Sequence, residues 1–365
     1  MSNTVAIILG SNIHWAPYFY RYEKILNDLD ISFDLIFWNR EGLKEQTSGN
    51  CISWDVPDVS NNKDPKKFFK FLGFSHFVEK QIRQHSYSRL VFLGTHGCAV
   101  SFCSNYLAKY YKSKMWIDIR DDEYEWFPPF YWGECKSIAA SYATTISSYK
   151  YTTFLPKHDY LMMHNIDPNW EAYIKEYHKV PSDVIRISFI GNVRYFEQNV
   201  AIIKILGNDQ RFRLQYFGSG SEKIQAYCEE HGITNTEFHG RFPQEDTLSF
   251  YCKTDIINNA YGNDTLNLQT ALSNKLYYGL MFHLPILVSE KTFMEEITKK
   301  YGFGYAFTET QEFANGLYTW YQQMRNNEGA SHFNDLWEKV IAEDKHTMSA
   351  FNRFVLAEIH KGDIQ

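Results

Sequence analysis

The sequence predicts an α/β protein made of two open, parallel, doubly wound sheets, and three observations lead there. Short apolar, often β-branched runs alternate with helix-period segments from one end to the other. Many of those runs close on Gly, Ser or Asn just before a helix begins, the joint of a parallel sheet. The alternation occurs twice along 365 residues, a length that exceeds what one core usually holds.

In the first half, Val5 to Leu9 reads as a buried strand closed by Gly10-Ser11-Asn12, and Pro17 opens a helix through Leu29. Phe33 to Trp38 is the next strand, and a polar loop leads to a helix from about Pro65 to Gln84. Leu90 to Leu93 ends in Gly94-Thr95-His96-Gly97, ahead of a helix from Ala99 to Lys112. Met115 to Ile119 precedes the charged run Arg120-Asp121-Asp122-Glu123. Ser137 to Ala143 reads as helix, and Thr145 to Ser147 and Thr152 to Leu155 read as short edge strands.

After Pro181 a second unit begins. Strands are expected at Ile185 to Ile190, Phe212 to Phe217, Thr236 to His239, Asp255 to Asn258 and Ile286 to Ser289. Helices fall between them, at Glu197 to Leu206, from Ser221 to His231, at Gln244 to Tyr251 and at Asn274 to Phe282. The tail from about His332 to His360 has a helical pattern. The expected domains are therefore residues 1–180 and 181–330, with a C-terminal helix in 331–365 that returns to the first domain. In such folds the site lies at the carboxyl edges of the strands.

Composition narrows the function. Lys and Arg number 37 against 43 Asp and Glu, a net charge of −6, which argues against a general nucleic-acid binder. The six cysteines include no Cys-x-x-Cys pair and read as reduced thiols rather than disulfides or a zinc site. With no basic, apolar leader at its start and no stretch of membrane-span length, the sequence predicts a cytoplasmic protein. Aromatic residues reach 17%, which suits both sugar stacking and a large core.

Two local features carry chemistry. Ile-Ser-Phe-Ile-Gly-Asn-Val-Arg, residues 187–194, delivers Gly191 to a turn that opens a helix. Free backbone N–H groups and the helix dipole favour an anion there, and Arg194 adds a cation; the alternative is an ordinary joint with a surface Arg. In Leu-Ser-Asn-Lys-Leu-Tyr-Tyr-Gly, residues 272–279, Ser273 or Asn274 caps a helix whose first turn holds Lys275. A cation in the first turn opposes the macrodipole, a conflict that an anion would resolve; the alternative is a solvated Lys.

Taken in order, Phe-Ile-Gly-Asn-Val-Arg, Leu-Gln-Tyr-Phe-Gly-Ser-Gly, Phe-His-Gly-Arg-Phe and Asn-Lys-Leu-Tyr-Tyr to Leu-Pro-Ile-Leu-Val resemble the donor half of a GT-B glycosyltransferase. The resemblance spans residues 185–308 and is to the group-1, retaining families of bacterial capsular and exopolysaccharide biosynthesis. It implies two Rossmann-like domains facing each other across a cleft, and a metal-independent hexosyltransferase. The donor would be a nucleoside-diphosphate sugar, UDP-linked slightly favoured over GDP-linked, with no further cofactor. The acceptor would be a hydroxyl of a glycan or lipid-linked oligosaccharide in surface polysaccharide synthesis, with retention of configuration.

The same resemblance assigns roles. Gly191, Asn192, Arg194, Gly218, Gly240, Arg241, Tyr261, Asn274 and Lys275 would bind the donor, and Arg194 and Lys275 would neutralise the leaving diphosphate. Ser11, His14 and Trp15 follow the first strand, where the fold brings an acceptor or the donor phosphates, and would meet the acceptor, against the alternative of a loop His and a partly buried Trp. Asp121, then Asp122 and His96, would orient it or accept its proton, against the alternative of a solvated acidic loop. One departure stands out: many relatives carry a ribose-binding Glu three residues after the Lys, where this chain has Tyr278.

Residues 66–74 interleave Lys with Phe. They read either as a peripheral membrane patch at the inner face of the membrane or as a helix with its aromatic face in the core. Two rival functions share the fold. A nucleotide-sugar 2-epimerase would need acid/base carboxylates, for which 255–290 offers Asp255, Asp264 and Glu290. A non-catalytic GT-B binding subunit is the other. His158, Asp159 and His164 lack metal-ligand spacing, so no metal is expected.

Overall fold

The computed structural model of the chain describes residues 4–58, 66–94, 98–326 and 330–357. His96 lies outside the described residues. The chain forms two compact units, Met1–His164 with Ala342–Gln365 (unit 1) and Asn165–Ile341 (unit 2).

Among the described residues, unit 1 carries a seven-stranded parallel sheet. Its strands are β1 (Val5–Leu9), β2 (Phe33–Trp38), β3 (Asn50–Trp54), β4 (Arg89–Leu93), β5 (Met115–Ile119), β6 (Ala143–Ile146) and β7 (Leu161–Met162), in the order β3-β2-β1-β4-β5-β6-β7. Every residue of β1, β4 and β5 is buried, as expected of central strands covered on both faces. The edge strand β3 is half-exposed and polar, so the sequence showed only a loop there. The edge strand expected at Thr152 to Leu155 is instead a 3₁₀ turn, Tyr149–Thr153. Ser148 caps that turn through Lys150 N, and Tyr151 is buried with its hydroxyl donating to the Arg120 carbonyl at 2.6 Å. The helix expected from Ser137 starts earlier, at Pro128, where a missing N–H does no harm.

Unit 2 carries six parallel strands among its described residues. They are β8 (Ile185–Ile190), β9 (Phe212–Phe217), β10 (Thr236–His239), β11 (Ile256–Asn259), β12 (Ile286–Ser289) and β13 (Gly304–Phe307), in the order β10-β9-β8-β11-β12-β13. Its core sets Ile187, Phe189, Leu214 and Leu287 of the sheet against Ile202, Ile203 and Leu206 of the helix Phe196–Leu206. Residues 165–180 belong to unit 2: Tyr177 stacks on Phe282 at 4.5 Å, and Tyr278 donates to Asp167.

The helix Ala330–Leu356 carries the chain back into unit 1. Phe351 lies edge-on to Trp116 at 5.1 Å, and Arg89 donates to the Phe354 carbonyl. In the helix Lys66–His85, Phe71 and Phe74 are buried against Trp38, whereas Phe69 is 72% exposed. Lys67 and Lys70 do not point into solvent as free charges; both approach Asp58, at 3.9 and 2.9 Å. Among the described residues, no helix is long and apolar enough to cross a membrane.

Candidate functional site

The carboxyl edge of the unit 2 sheet is shaped first by backbone. Gly191 follows β8 with φ +114°, and its N–H donates to the Phe217 carbonyl at 2.8 Å. Gly218 follows β9 with φ +136°, and a Cβ there would sit 1.8 Å from the Gly191 carbonyl oxygen. The two loops thus cross in backbone contact, which only glycine at 218 permits. Around Gly191 the situation is reversed: a Cβ would meet nothing within 4 Å, so the turn faces open space.

Beside these loops the helix Asn274–Phe282 begins. Ser273 is its N-cap, with Oγ accepting from Lys275 N at 3.3 Å, and Asn274 is exposed. Lys275 is only 8% exposed. Its ammonium lies 4.7 Å from the Phe189 ring centroid and 5.3 Å from that of Tyr261, and it makes no hydrogen bond or ion pair with a described residue. Burial, and secondarily the charge of Arg194, lowers its pKa from an ordinary 10.5 to about 7.

The cage around that ammonium was missed in the sequence. Tyr261 stacks on Tyr195 at 4.9 Å and packs on Phe189 at 5.4 Å, and Tyr195 is held in the left-handed region at φ +62°. Arg194 is exposed, its guanidinium 5.5 Å from the Tyr195 ring. Neither cation has a carboxylate within ion-pair distance among the described residues. Two cations, a glycine turn on open space and a helix N-terminus together supply the chemistry that a candidate anion site requires. Asn259, which no motif marked, ends β11 with a buried Oδ1 that has no hydrogen-bond partner among the described residues. Asn192 is exposed on the first loop, and Gly240 and Arg241 are exposed at the end of β10.

Tyr278, three residues after Lys275, is not a vacancy in a binding pattern. Its hydroxyl donates to Asp167 Oδ2 at 2.7 Å, and its ring stacks on Tyr251 at 4.5 Å. Asp255 sits at the opposite, amino edge of the sheet. It accepts from Arg186 Nε at 2.7 Å and pairs with Lys179 at 2.9 Å. Burial pushes its carboxyl up, but the two cations override this and hold it below the ordinary value. Asp255 is therefore taken up in structure, and Asp264 and Glu290 are exposed.

In unit 1, Asp121 and Asp122 lie half-buried in the loop after β5. Asp118 and Arg120, at the start of the same acidic run, form a closed pair: Arg120 Nε and Nη2 donate to Asp118 Oδ2 at 2.9 and 2.7 Å. Tyr22 and Thr145 donate to the same carboxylate, each at 2.8 Å. Ser11 is buried, with Oγ bonded to the Asn12 carbonyl, so it is turned away from solvent. His14 and Trp15 are exposed in the turn after β1.

Two doubly wound parallel sheets of this kind define the GT-B class of fold, and the solved structures agree. Sucrose-phosphate synthase from Thermosynechococcus elongatus aligns with TM-score 0.68 at 10% identity, over 97% of this chain and 100% of that one. WaaG, a glycosyltransferase involved in lipopolysaccharide biosynthesis, aligns at 0.64 and 11% identity, over 97% and 100%. Anabaena HepE, solved in complex with UDP and glucose, aligns at 0.64 and 12% identity, over 95% and 98%. At such identities the likeness shows the fold. No family model matches the chain, and no curated protein sequence does.

Proposed function

We propose that the chain is a glycosyltransferase that moves a hexosyl group from a nucleoside-diphosphate sugar to a hydroxyl of a glycan or lipid-linked oligosaccharide, with retention, in surface polysaccharide synthesis. The observation that carries this reading is Lys275, a buried lysine at a helix N-terminus with no acid to neutralise it among the described residues. A diphosphate is the ligand chemistry that resolves it. Gly191 would let the phosphates approach the backbone, and Lys275 and Arg194 would balance their charge, the task a metal ion performs elsewhere.

In the reaction the bond from the sugar C1 to the diphosphate oxygen breaks, and a bond from C1 to the acceptor oxygen forms. The acceptor proton passes to the departing phosphate oxygen or to a carboxylate of unit 1, Asp121 first and Asp122 next. The lysine stabilises charge that grows on the leaving group, so its effect is greatest in the transition state. HepE was solved with UDP, and this supports a UDP-sugar ahead of a GDP-sugar. Peripheral contact with a membrane would rest on Phe68, Phe69 and Leu72, the exposed apolar side chains of the helix Lys66–His85.

The test is calorimetric titration with UDP, GDP, ADP and dTDP, with EDTA present, on wild type and Lys275→Met. One nucleoside diphosphate should bind wild type and lose about a hundredfold in the variant, or about 2.7 kcal/mol. Well-folded wild type that binds none of them would sink the reading.

A further inference from the structure

We infer that Tyr195 is a positioning residue of unit 2: its ring clamps Tyr261 beside Lys275 and keeps water from the ammonium that, resting on the transferase reading, would meet the diphosphate. What points there is backbone strain. Tyr195 lies in the left-handed region, at φ +62° and ψ +57°, as the N-cap of the helix Phe196–Leu206. A bulky side chain is unfavourable in that region. Capping does not explain it either, since its side chain makes no cap bond and a Ser, Thr, Asp or Asn in extended backbone would cap better. Such a conformation persists only where its surroundings enforce it.

The enforcement is buried and specific. Asn199, fully buried in the first turn of the helix, donates from Nδ2 to the carbonyls of Arg194 and Tyr195 at 2.8 and 2.9 Å. Its Oδ1 accepts from Asn258 Nδ2 of β11 at 3.4 Å, which ties the turn to the sheet. On the other side, Val193 N donates to the Ser219 carbonyl at 2.8 Å. The backbone that carries Tyr195 is thus fixed by the loop after β9, by β11 and by its own helix.

Held in this way, the Tyr195 ring stacks on Tyr261 at 4.9 Å with the planes 21° apart. Tyr261 in turn packs on Phe189 at 5.4 Å and lies 5.3 Å from the Lys275 ammonium. Tyr195 is half-buried, so it is the outer layer of this shield. The Arg194 guanidinium lies 5.5 Å from the same ring, and the two cations therefore share one stack. Among the described residues, Arg194 is the charged group that acts on the ammonium, and Tyr261 is the titratable group packed against it. A cation stabilises charge on a leaving group most where water does not screen it. Without the outer ring, water reaches Tyr261 and the ammonium behind it, and Lys275 becomes an ordinary solvated lysine.

Competitive labelling of the ligand-free full chain with acetic anhydride across pH tests the clamp. Mass spectrometry of the peptide that holds Lys275 reports where that amine loses its proton. In wild type the midpoint should lie near 7. In Tyr195→Gly, which suits the left-handed backbone and should fold, it should move up by about one pH unit or more, toward the ordinary 10.5. Tyr195→Phe keeps the ring and should leave the midpoint within about 0.3 of wild type. An unchanged midpoint in folded Tyr195→Gly overturns the inference, even if its melting temperature falls, because the ring would then serve the fold alone. An equal rise in Tyr195→Phe also overturns it, because the hydroxyl and not the ring would be at work. UDP titration of the same samples keeps the two readings apart: a raised midpoint in Tyr195→Gly with no UDP binding to wild type removes the transferase and leaves the clamp, and UDP binding with an unmoved midpoint removes the clamp alone.

Discussion

Two buried cations occupy comparable positions in the two units, and they are treated in opposite ways. Arg120, just beyond β5, is enclosed by Asp118, and that carboxylate is completed by Tyr22 and Thr145. Lys275, at the carboxyl edge of the unit 2 sheet, has aromatic rings where an acid would be. Burial of an ion is tolerable when a partner is built in and is unfavourable when none is. On the function proposed here, the second arrangement is kept for an anion that arrives from outside. The contrast teaches that buried charge alone does not mark a site; charge without an internal partner does.

The contrast can be broken most heavily at the closed pair. Arg120→Ala strips one partner and leaves Asp118 buried, which should lower unfolding stability by about 3–5 kcal/mol. Urea denaturation followed by circular dichroism measures this. A loss under about 1 kcal/mol would show that the network is not what holds this edge of unit 1.

At the open cation the effects should have the opposite sign for stability. Lys275→Met removes an unneutralised charge and should raise the melting temperature of the ligand-free protein, while nucleotide affinity falls about a hundredfold. The pH dependence follows from its depressed pKa of about 7. Between there and the ordinary 10.5 the unfolded chain holds a proton on this group that the folded chain does not, so its destabilising contribution shrinks as pH rises through that window. Nucleotide binding runs the other way. A bound diphosphate pulls the pKa back up, so affinity should fall as pH climbs above about 7, approaching tenfold per unit, with uptake of up to one proton. Titrations in buffers of different ionisation enthalpy measure that uptake, and Lys275→Met should abolish it.

Much of this was legible in the sequence because its signals were local. The helix Asn274–Phe282 and the strands Val5–Leu9, Phe33–Trp38, Met115–Ile119, Ile185–Ile190, Phe212–Phe217 and Ile286–Ser289 have the bounds that periodicity and flanking turns predict. A lysine in a helix's first turn flagged itself through the macrodipole. What the sequence could not show was who meets whom at long range. The rings of Phe189 and Tyr261 around Lys275 come from segments far apart in the chain, as do Asn12 and its hydrogen-bond partners Glu41 and Glu45. The edge strands β3, β7 and β13 escaped because an edge is short or half-exposed, and so lacks the apolar run that betrays a central strand. Of the charged residues at the end of β5, Asp118 and Arg120 serve the fold, a pairing that their place in the sequence did not disclose.

Arg194 should give a smaller effect than Lys275. It is exposed, so water and salt screen it, and Arg194→Ala should weaken nucleotide binding only about tenfold at low salt. That loss should narrow as ionic strength rises, whereas the Lys275→Met loss should persist. Equal salt sensitivity of the two variants would mean that Lys275 is not the enclosed member of the pair.

The smallest expected effect probes Tyr278, where the resemblance places a ribose-binding acid in other chains. Here its hydroxyl is occupied with Asp167, whose other oxygen accepts from Asn169 N at 2.9 Å. Tyr278→Phe removes that one bond and leaves the stack on Tyr251, so stability should fall by about 0.5–1.5 kcal/mol. If the hydroxyl serves only to tie residues 165–180 onto unit 2, nucleotide affinity should stay within about twofold, while hydrogen exchange at the N-terminal end of the helix Trp170–Glu176 accelerates. A large drop in affinity with unchanged exchange would instead place the tyrosine on the ligand, and would make the Asp167–Tyr278 pair this chain's own substitute for the missing acid.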